Sequence, residues 1–250
     1  TVLLDEAHNL PGRARDMYRA TLAKAAVLQA RSTVSGGLAK CLTRINHQFL
    51  ALQKRPWSET DFDTSENLPM DLIDAAQRFA LAVSEQLASE PFLLQRHPQL
   101  MEFYFQVLQF LRVAEQFGND YRVQLTRDAH RQSLCVTLNC LDPARLLAAR
   151  HANAHAVIAF SATLSPLPWL HASLGMDERT VCSRAHSPFD SGQLRVSLAT
   201  DIDTRYQRRA ATLPALAQLL QHWLGTTPGN CIVYFPSYHY LQDCLAQLHG

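Results

Sequence analysis

The sequence predicts an α/β protein, in which pieces of a parallel sheet are interrupted by a large, mainly helical insertion containing a strand pair. Three observations carry this reading. The apolar run Thr1–Leu4 stops at Asp5-Glu6-Ala7-His8, as a buried parallel strand does where it meets a loop. Residues 10–117 then show mostly helical apolar spacing. From His155 onward, short apolar runs alternate with helical stretches, the pattern of parallel α/β layers.

Within the insertion, Arg13–Gln29 is rich in Ala, Leu and Arg, which favour helix, and Gly36-Gly37 ends it. Leu38, Leu42, Ile45, Phe49 and Leu52 then share one helical face. Arg55–Pro69 is polar, acidic and bounded by prolines, which predicts an exposed loop. Met70–Leu87 reads as a helix. His97–Phe117 reads as another, apolar almost all round and therefore central to a helical core. The period changes at Tyr121–Leu125 and Ser133–Asn139, where alternation predicts a strand pair. Asp142-Pro143 starts a short helix, with Asp as cap and Pro at the first position. Beyond it the expected order is strand Ala156–Phe160, helix Pro166–Leu174, strand Leu194–Leu198, helix Arg205–Leu224, strand Cys231–Phe235 and helix Tyr238–Leu248.

Composition narrows the classes. With 47% hydrophobic and 18% charged residues in 250, the chain can bury a substantial core and is not globally disordered. No apolar run reaches the roughly 18–20 residues of a membrane span. The 23 basic and 22 acidic residues balance, which neither requires nor excludes a nucleic-acid partner, because a groove needs only local charge. Six scattered cysteines without a CxxC pair, and histidines without HExxH spacing, argue against a zinc or iron–sulfur site in this segment. Reduced thiols in a cytosolic protein are the expectation. The chain begins without Met inside an apolar run, as an internal piece of a longer protein does.

Two motifs carry chemistry. Adjacent acids just past a strand's carboxyl end suit phosphoryl transfer, which needs one carboxylate for Mg²⁺ and a second group to orient water. Asp5 fits the first role, holding the metal through its hydration shell, and Glu6 the second. Read alone, the acids also fit a solvated turn. The second motif is the apolar strand Ala156–Phe160 running into Ser161-Ala162-Thr163. Its hydroxyls can hydrogen-bond His8 and Asp5 of the first motif, or simply cap the next helix. The two motifs in this order are far more specific than either alone.

In that order, Asp5–Asn9, Leu138–Pro143, Phe160–Pro166, Ser187-Pro188-Phe189 and Gly229–Tyr238 resemble the XPD/DinG family of superfamily 2 DNA helicases. DEAD-box RNA helicases share the acidic and Ser-Ala-Thr motifs, but there the two lie much closer together. The long insertion between them is similar to the family's arch domain.

The resemblance implies RecA-like motor-domain fragments: residues 1–10 and 151–191 from a first motor domain, 11–150 an arch-like insertion, and 192–250 the start of a second motor domain. It implies Asp5 and Glu6 as the Walker B acids of an ATP- and Mg²⁺-dependent enzyme. His8 would communicate with Ser161 and Thr163 of motif III, and Ser237 and Tyr238 of motif IV would lie near single-stranded DNA. Stacking and phosphate contacts of that kind do not read sequence. Tyr234 and Phe235, on the preceding strand, are expected in the core. The arginines of Asp203–Arg209 fit nucleotide, DNA or solvent equally well. Arg13, Arg15, Arg19, Lys24 and Arg31 fit a solvated helix face better than a DNA channel.

The family's iron–sulfur domain precedes the acidic motif, so a cluster in the parent protein would not be ligated by this segment. No GxxxxGK followed by Ser or Thr occurs, so the segment alone is expected to be inactive toward ATP. The implied whole protein translocates on single-stranded DNA, 5′ to 3′, in repair or replication, with other repair proteins as partners, in the cytoplasm and at the nucleoid. A non-catalytic nucleic-acid-binding or partner-docking module, and an RNA helicase, are the competing readings.

Overall fold

The computed structural model describes residues 1–55, 57, 61–128 and 133–248. It divides into two compact units, Thr1–Val181 and Cys182–Gly250.

The first unit runs β1 (Val2–Leu4), α1 (Leu10–Met17), β2 (Ala20–Ala23), α2 (Lys24–Ser32), α3 (Gly36–Gln53), β3 (Phe62–Ser65), α4 (Met70–Ser89), α5 (Leu93–Arg96), α6 (Pro98–Ala114), β4 (Tyr121–Asp128), β5 (Ser133–Cys140), α7 (Ala144–His151), β6 (Val157–Ala159) and α8 (Leu167–Ser173). Its strands form two sheets. β1 and β6 pair in parallel, with Val2 opposite Val157 and Leu4 opposite Ala159. The other four strands form an antiparallel sheet in the order β2-β5-β4-β3.

Alternation along β2, β4 and β5 sends Leu22, Val123, Leu125, Leu134, Val136 and Leu138 to one buried face. α2 and α6 lie against these strands, and α3 and α4 pack on the helices. The core is rich in aromatics: Phe79 stacks at 5.4 Å on Phe103, and Phe49 and Phe110 are fully enclosed. The opposite face of the sheet is polar. There Thr21 and Thr137 hydroxyls meet at 2.9 Å, and Asn139 donates to Gln124, which donates to Thr126.

Several expectations need correction. The insertion holds a four-stranded sheet rather than a strand pair. Ala20–Ala23, expected inside a helix, is β2 because its N–H and C=O groups complete the open edge of β5. Consequently Arg13, Arg15, Arg19, Lys24 and Arg31 are spread over α1, a turn and α2 instead of one helix. Within the expected loop Arg55–Pro69, residues 56 and 58–60 lie outside the described set, and Phe62–Ser65 pairs with β4 as an edge strand. Its Asp63 and the flanking acids suit an edge that discourages further pairing. α6 is not buried all round: Leu100, Phe103, Val107, Phe110 and Val113 face the core, whereas Met101, Phe105 and Leu108 face out.

Other elements match closely. α3 buries the same five residues the spacing selects. α7 begins at Ala144, one residue later than expected, so Pro143 and not Asp142 takes the cap position; the Asp142 carboxylate still accepts the Ala144 N–H at 3.0 Å.

The second unit contains α9 (Arg209–Thr226) and α10 (Tyr238–Leu248), packed through Ala217, Leu220 and Cys244, with Phe235 against them. Neither Leu194–Leu198 nor Cys231–Phe235 enters a ladder among the described residues, contrary to expectation. An apolar run becomes a strand only when a neighbour takes up its backbone bonds, and no described strand pairs with either run. Tyr234, expected in the core, is accordingly 87% exposed, while Phe235 sits edge-on to Tyr240 with ring centres 5.7 Å apart. No helix among the described residues is long and apolar enough to cross a membrane.

Candidate functional site

The site forms where β1 and β6 end side by side. The ladder continues one step past each strand: Phe160 N–H donates to Leu4 C=O at 3.0 Å, and Ala7 N–H returns to Phe160 C=O at 3.2 Å. Ala7 is almost fully buried at this junction, which favours a small side chain. Between them the chain turns through Asp5 and Glu6. Asp5 Oδ1 accepts the Glu6 N–H at 2.7 Å, and Glu6 adopts a left-handed φ of 49°. That conformation costs a non-glycine residue about 1–2 kcal/mol, and the Asp5 bond offsets part of it. A short 3₁₀ turn, Ala7–Asn9, then presents His8 and leads into α1.

Four predicted residues, far apart in sequence, meet here. His8 Nδ1 lies 2.8 Å from Ser161 Oγ, 3.2 Å from Glu6 Oε2 and 3.3 Å from Thr163 Oγ1. Ser161 donates to Glu6 Oε2 at 3.1 Å and accepts the Thr163 N–H at 3.2 Å. A hydroxyl has one proton and two acceptor positions. With its proton on Glu6, Ser161 has an acceptor position free for the Nδ1–H tautomer of His8. The hydroxyl loop thus reaches Glu6, not Asp5, whose Oδ1 is engaged by the Glu6 N–H. Glu6 Oε1 takes no bond from the described residues and remains open to a water molecule.

Ser161 and Thr163 also open the path into α8. That helix ends at Gly175, with φ of 66°, where a Cβ would stand 2.2 Å from Ala144 C=O at the start of α7. His151, ending α7, lies with Nε2 2.9 Å from Leu174 C=O. The hydroxyl loop is therefore tied through α8 to α7, and through α7 to β5.

The remaining predicted residues lie in the second unit. Ser237 caps α10: its Oγ accepts the Tyr240 N–H and an Arg209 N–H, each at 3.3 Å. Tyr238 beside it is exposed. Sequence reasoning named Arg209 without assigning it a partner. Its guanidinium stacks over Tyr206 at 4.7 Å and Tyr240 at 5.0 Å. The single Tyr206 among the arginines of Arg205–Arg209 was the available signal. Arg205 forks onto Asp203 and holds that carboxyl down to about 2. Burial pushes the Tyr240 hydroxyl up.

No protein-family model matches the chain, and no curated protein does. Among solved structures it is similar to S. tokodaii Xpd4, with a TM-score of 0.54 at 14% identity. The match covers 99% of this chain and 49% of that one. The fold is XPD-like. The chain spans about half the length of the structure it matches, and at this identity the likeness is one of fold.

Proposed function

We propose that the chain is part of an ATP-driven DNA helicase that couples hydrolysis to 5′-to-3′ movement along single-stranded DNA, in repair or replication. The observation supporting this most directly is the hydrogen-bonded joining of Glu6 and His8 to Ser161 and Thr163, across the ends of two parallel strands. An acidic pair on a solvated turn has no need of such a network, and helix-capping hydroxyls would not reach across to another strand.

The residues fit Mg²⁺ with ATP. Asp5 is an exposed carboxylate at a strand's carboxyl end, and Mg²⁺ keeps much of its own water, so one outer-sphere carboxylate suffices. Bound there, the ion would neutralise charge on the phosphates. The chain's own residues do the rest. Glu6 Oε1 polarises the attacking water, while Oε2 is held by Ser161, which fixes the carboxylate's orientation. His8 keeps Ser161 pointed at Glu6. When the charge at Glu6 changes, the Ser161 bond changes with it, and α8 and α7 carry that change to the insertion. Ser237 and Tyr238 offer a donor and a ring for sequence-independent contact with a strand. On this reading the protein works in the cytoplasm, on chromosomal DNA.

ATP hydrolysis with and without single-stranded DNA tests the proposal, on this chain and on a polypeptide extended at both ends. This chain has no phosphate-binding loop and should hydrolyse nothing, whereas the extended form should be active and stimulated by the strand. There Glu6→Gln should lower the rate about 10²–10⁴-fold; normal hydrolysis by that variant would remove Glu6 from its role. Inactivity of both forms would favour a binding module.

A further inference from the structure

Helix α6 is apolar almost all round in sequence, yet the fold uses one side of it. Leu100, Phe103, Val107, Phe110 and Val113 fill the core. Helical spacing puts Met101, Phe105 and Leu108 on the opposite side, and all three are exposed, Phe105 by 56%. With Arg112 they recur at intervals of four, three and four residues, the spacing of a seam between two helices. Met17 extends the patch: its C=O accepts from the Gln109 side chain at 3.4 Å, and its own side chain is exposed. A solvated helix face is normally polar, and a contiguous apolar patch marks an interaction surface. The charges on this face indicate what fits it. Glu102 stands toward one end and Arg112 toward the other, both exposed, about 15 Å apart along the helix axis. Glu102 accepts from the neutral Gln106 amide at 3.3 Å, and Arg112 meets no carboxylate among the described residues.

We propose that this face of α6 pairs with the same face of a second copy of the chain, antiparallel about a two-fold axis. A face with an acid toward one end and a base toward the other complements itself once a copy is reversed. With the axis passing between Phe105 and Leu108, Phe105 of each copy meets Leu108 of the other. Met101 then lies along the stem of the opposite Arg112, whose guanidinium reaches the opposite Glu102. One register therefore covers the apolar stripe and pairs both charges twice. Parallel copies would instead set Glu102 against Glu102 and Arg112 against Arg112. The 17 residues of α6 make a seam about 25 Å long. That is a small interface, so the dimer is expected at micromolar rather than nanomolar concentration. The pairing rests on α6 alone and does not draw on the helicase reading.

Analytical ultracentrifugation of the 250-residue chain, at concentrations reaching about 200 µM, should show a monomer–dimer equilibrium. F105E puts a charge at the middle of the seam and should weaken the dimer about tenfold or more. Tyr234→Glu places the same charge on an exposed residue of the second unit and should leave the dimer unchanged. E102R and R112E should each weaken it, because each sets like charges together at both ends of the seam. The double reversal E102R/R112E should restore it, since the pairs re-form with their signs exchanged. A chain that stays monomeric throughout would overturn the proposal and leave the stripe to a different partner. Dimers that survive F105E, dimers that Tyr234→Glu breaks equally, or a double reversal no better than the single ones would also overturn it. All the substituted residues are exposed, and thermal melts check that each variant folds. Either result leaves the Glu6→Gln experiment to decide the motor reading by itself.

Discussion

The antiparallel sheet β2-β5-β4-β3 buries a whole face under helices, with Leu22, Val136 and Leu138 enclosed, whereas the β1–β6 pair leaves Leu3 65% and Ile158 52% exposed. The candidate chemistry sits on the second sheet, not the first. In the first sheet only β4 and β5 are joined by a short connection; β2 and β3 are brought to its edges from far along the chain, and helices bury one face. Two parallel strands cannot be neighbours in sequence, and here the entire insertion lies between them. The better-packed sheet thus acts as the connection that closes the other. Little of the site's definition comes from apolar burial. Most of it comes from hydrogen bonds at the strand ends and from the tie of α8 to α7.

That contrast can be broken first by truncation. Phe79 is fully buried against Phe103 and Tyr104, so Phe79→Ala should cost about 3–5 kcal/mol in urea denaturation. Ile158→Ala, half exposed on β6, should cost about 1 kcal/mol or less. Similar losses would mean that the parallel pair carries burial of its own.

The tie between α8 and α7 comes next. Gly175→Ala meets both a left-handed φ, costing about 1–2 kcal/mol, and the Ala144 carbonyl at 2.2 Å. Thermal melting should fall by more than the backbone penalty alone, because α8 must shift off α7. A loss no larger than that penalty would show the helices free to separate.

The smallest effect sharpens the comparison from inside the well-packed sheet. Burial pushes the Cys140 thiol on β5 up to about 11, from an ordinary 9.0. At pH 8 its thiolate fraction is about 100-fold below that of an unperturbed thiol, so iodoacetamide should label exposed Cys182 first. The raised value also sets a direction. The folded form holds this proton more tightly, so its contribution to stability is full below pH 9 and is lost as pH rises toward 11. Equal labelling of both cysteines at pH 8 would show β5 opening to solvent.

Much of the helical architecture was legible in the sequence, because helix signals are local. The five-residue stripe of α3, the start of α7 just after Asp142-Pro143 and the bounds of α10 depend on residues within a few turns of one another. The site's membership was also legible: Glu6, His8, Ser161 and Thr163 could be named from two motifs and their order. Their partners could not. Motif chemistry suggested that the hydroxyls reach His8 and Asp5, but the left-handed turn at Glu6 brings its carboxylate to Ser161 and leaves Asp5 bonded to the adjacent backbone.

Strands were decided by tertiary structure in both directions. Ala20–Ala23 has helix-forming composition and became β2 because β5 offered an edge. Leu194–Leu198 has strand composition and pairs with no described strand. Thus the sequence by itself located most of the helices and the side chains available for chemistry, since both depend largely on residues close along the chain. Tertiary structure alone decided which runs become strands and which oxygen each hydroxyl meets. A helix satisfies its backbone from within, whereas a strand, like a hydroxyl bridge across two strand ends, needs a partner that only folding can bring alongside.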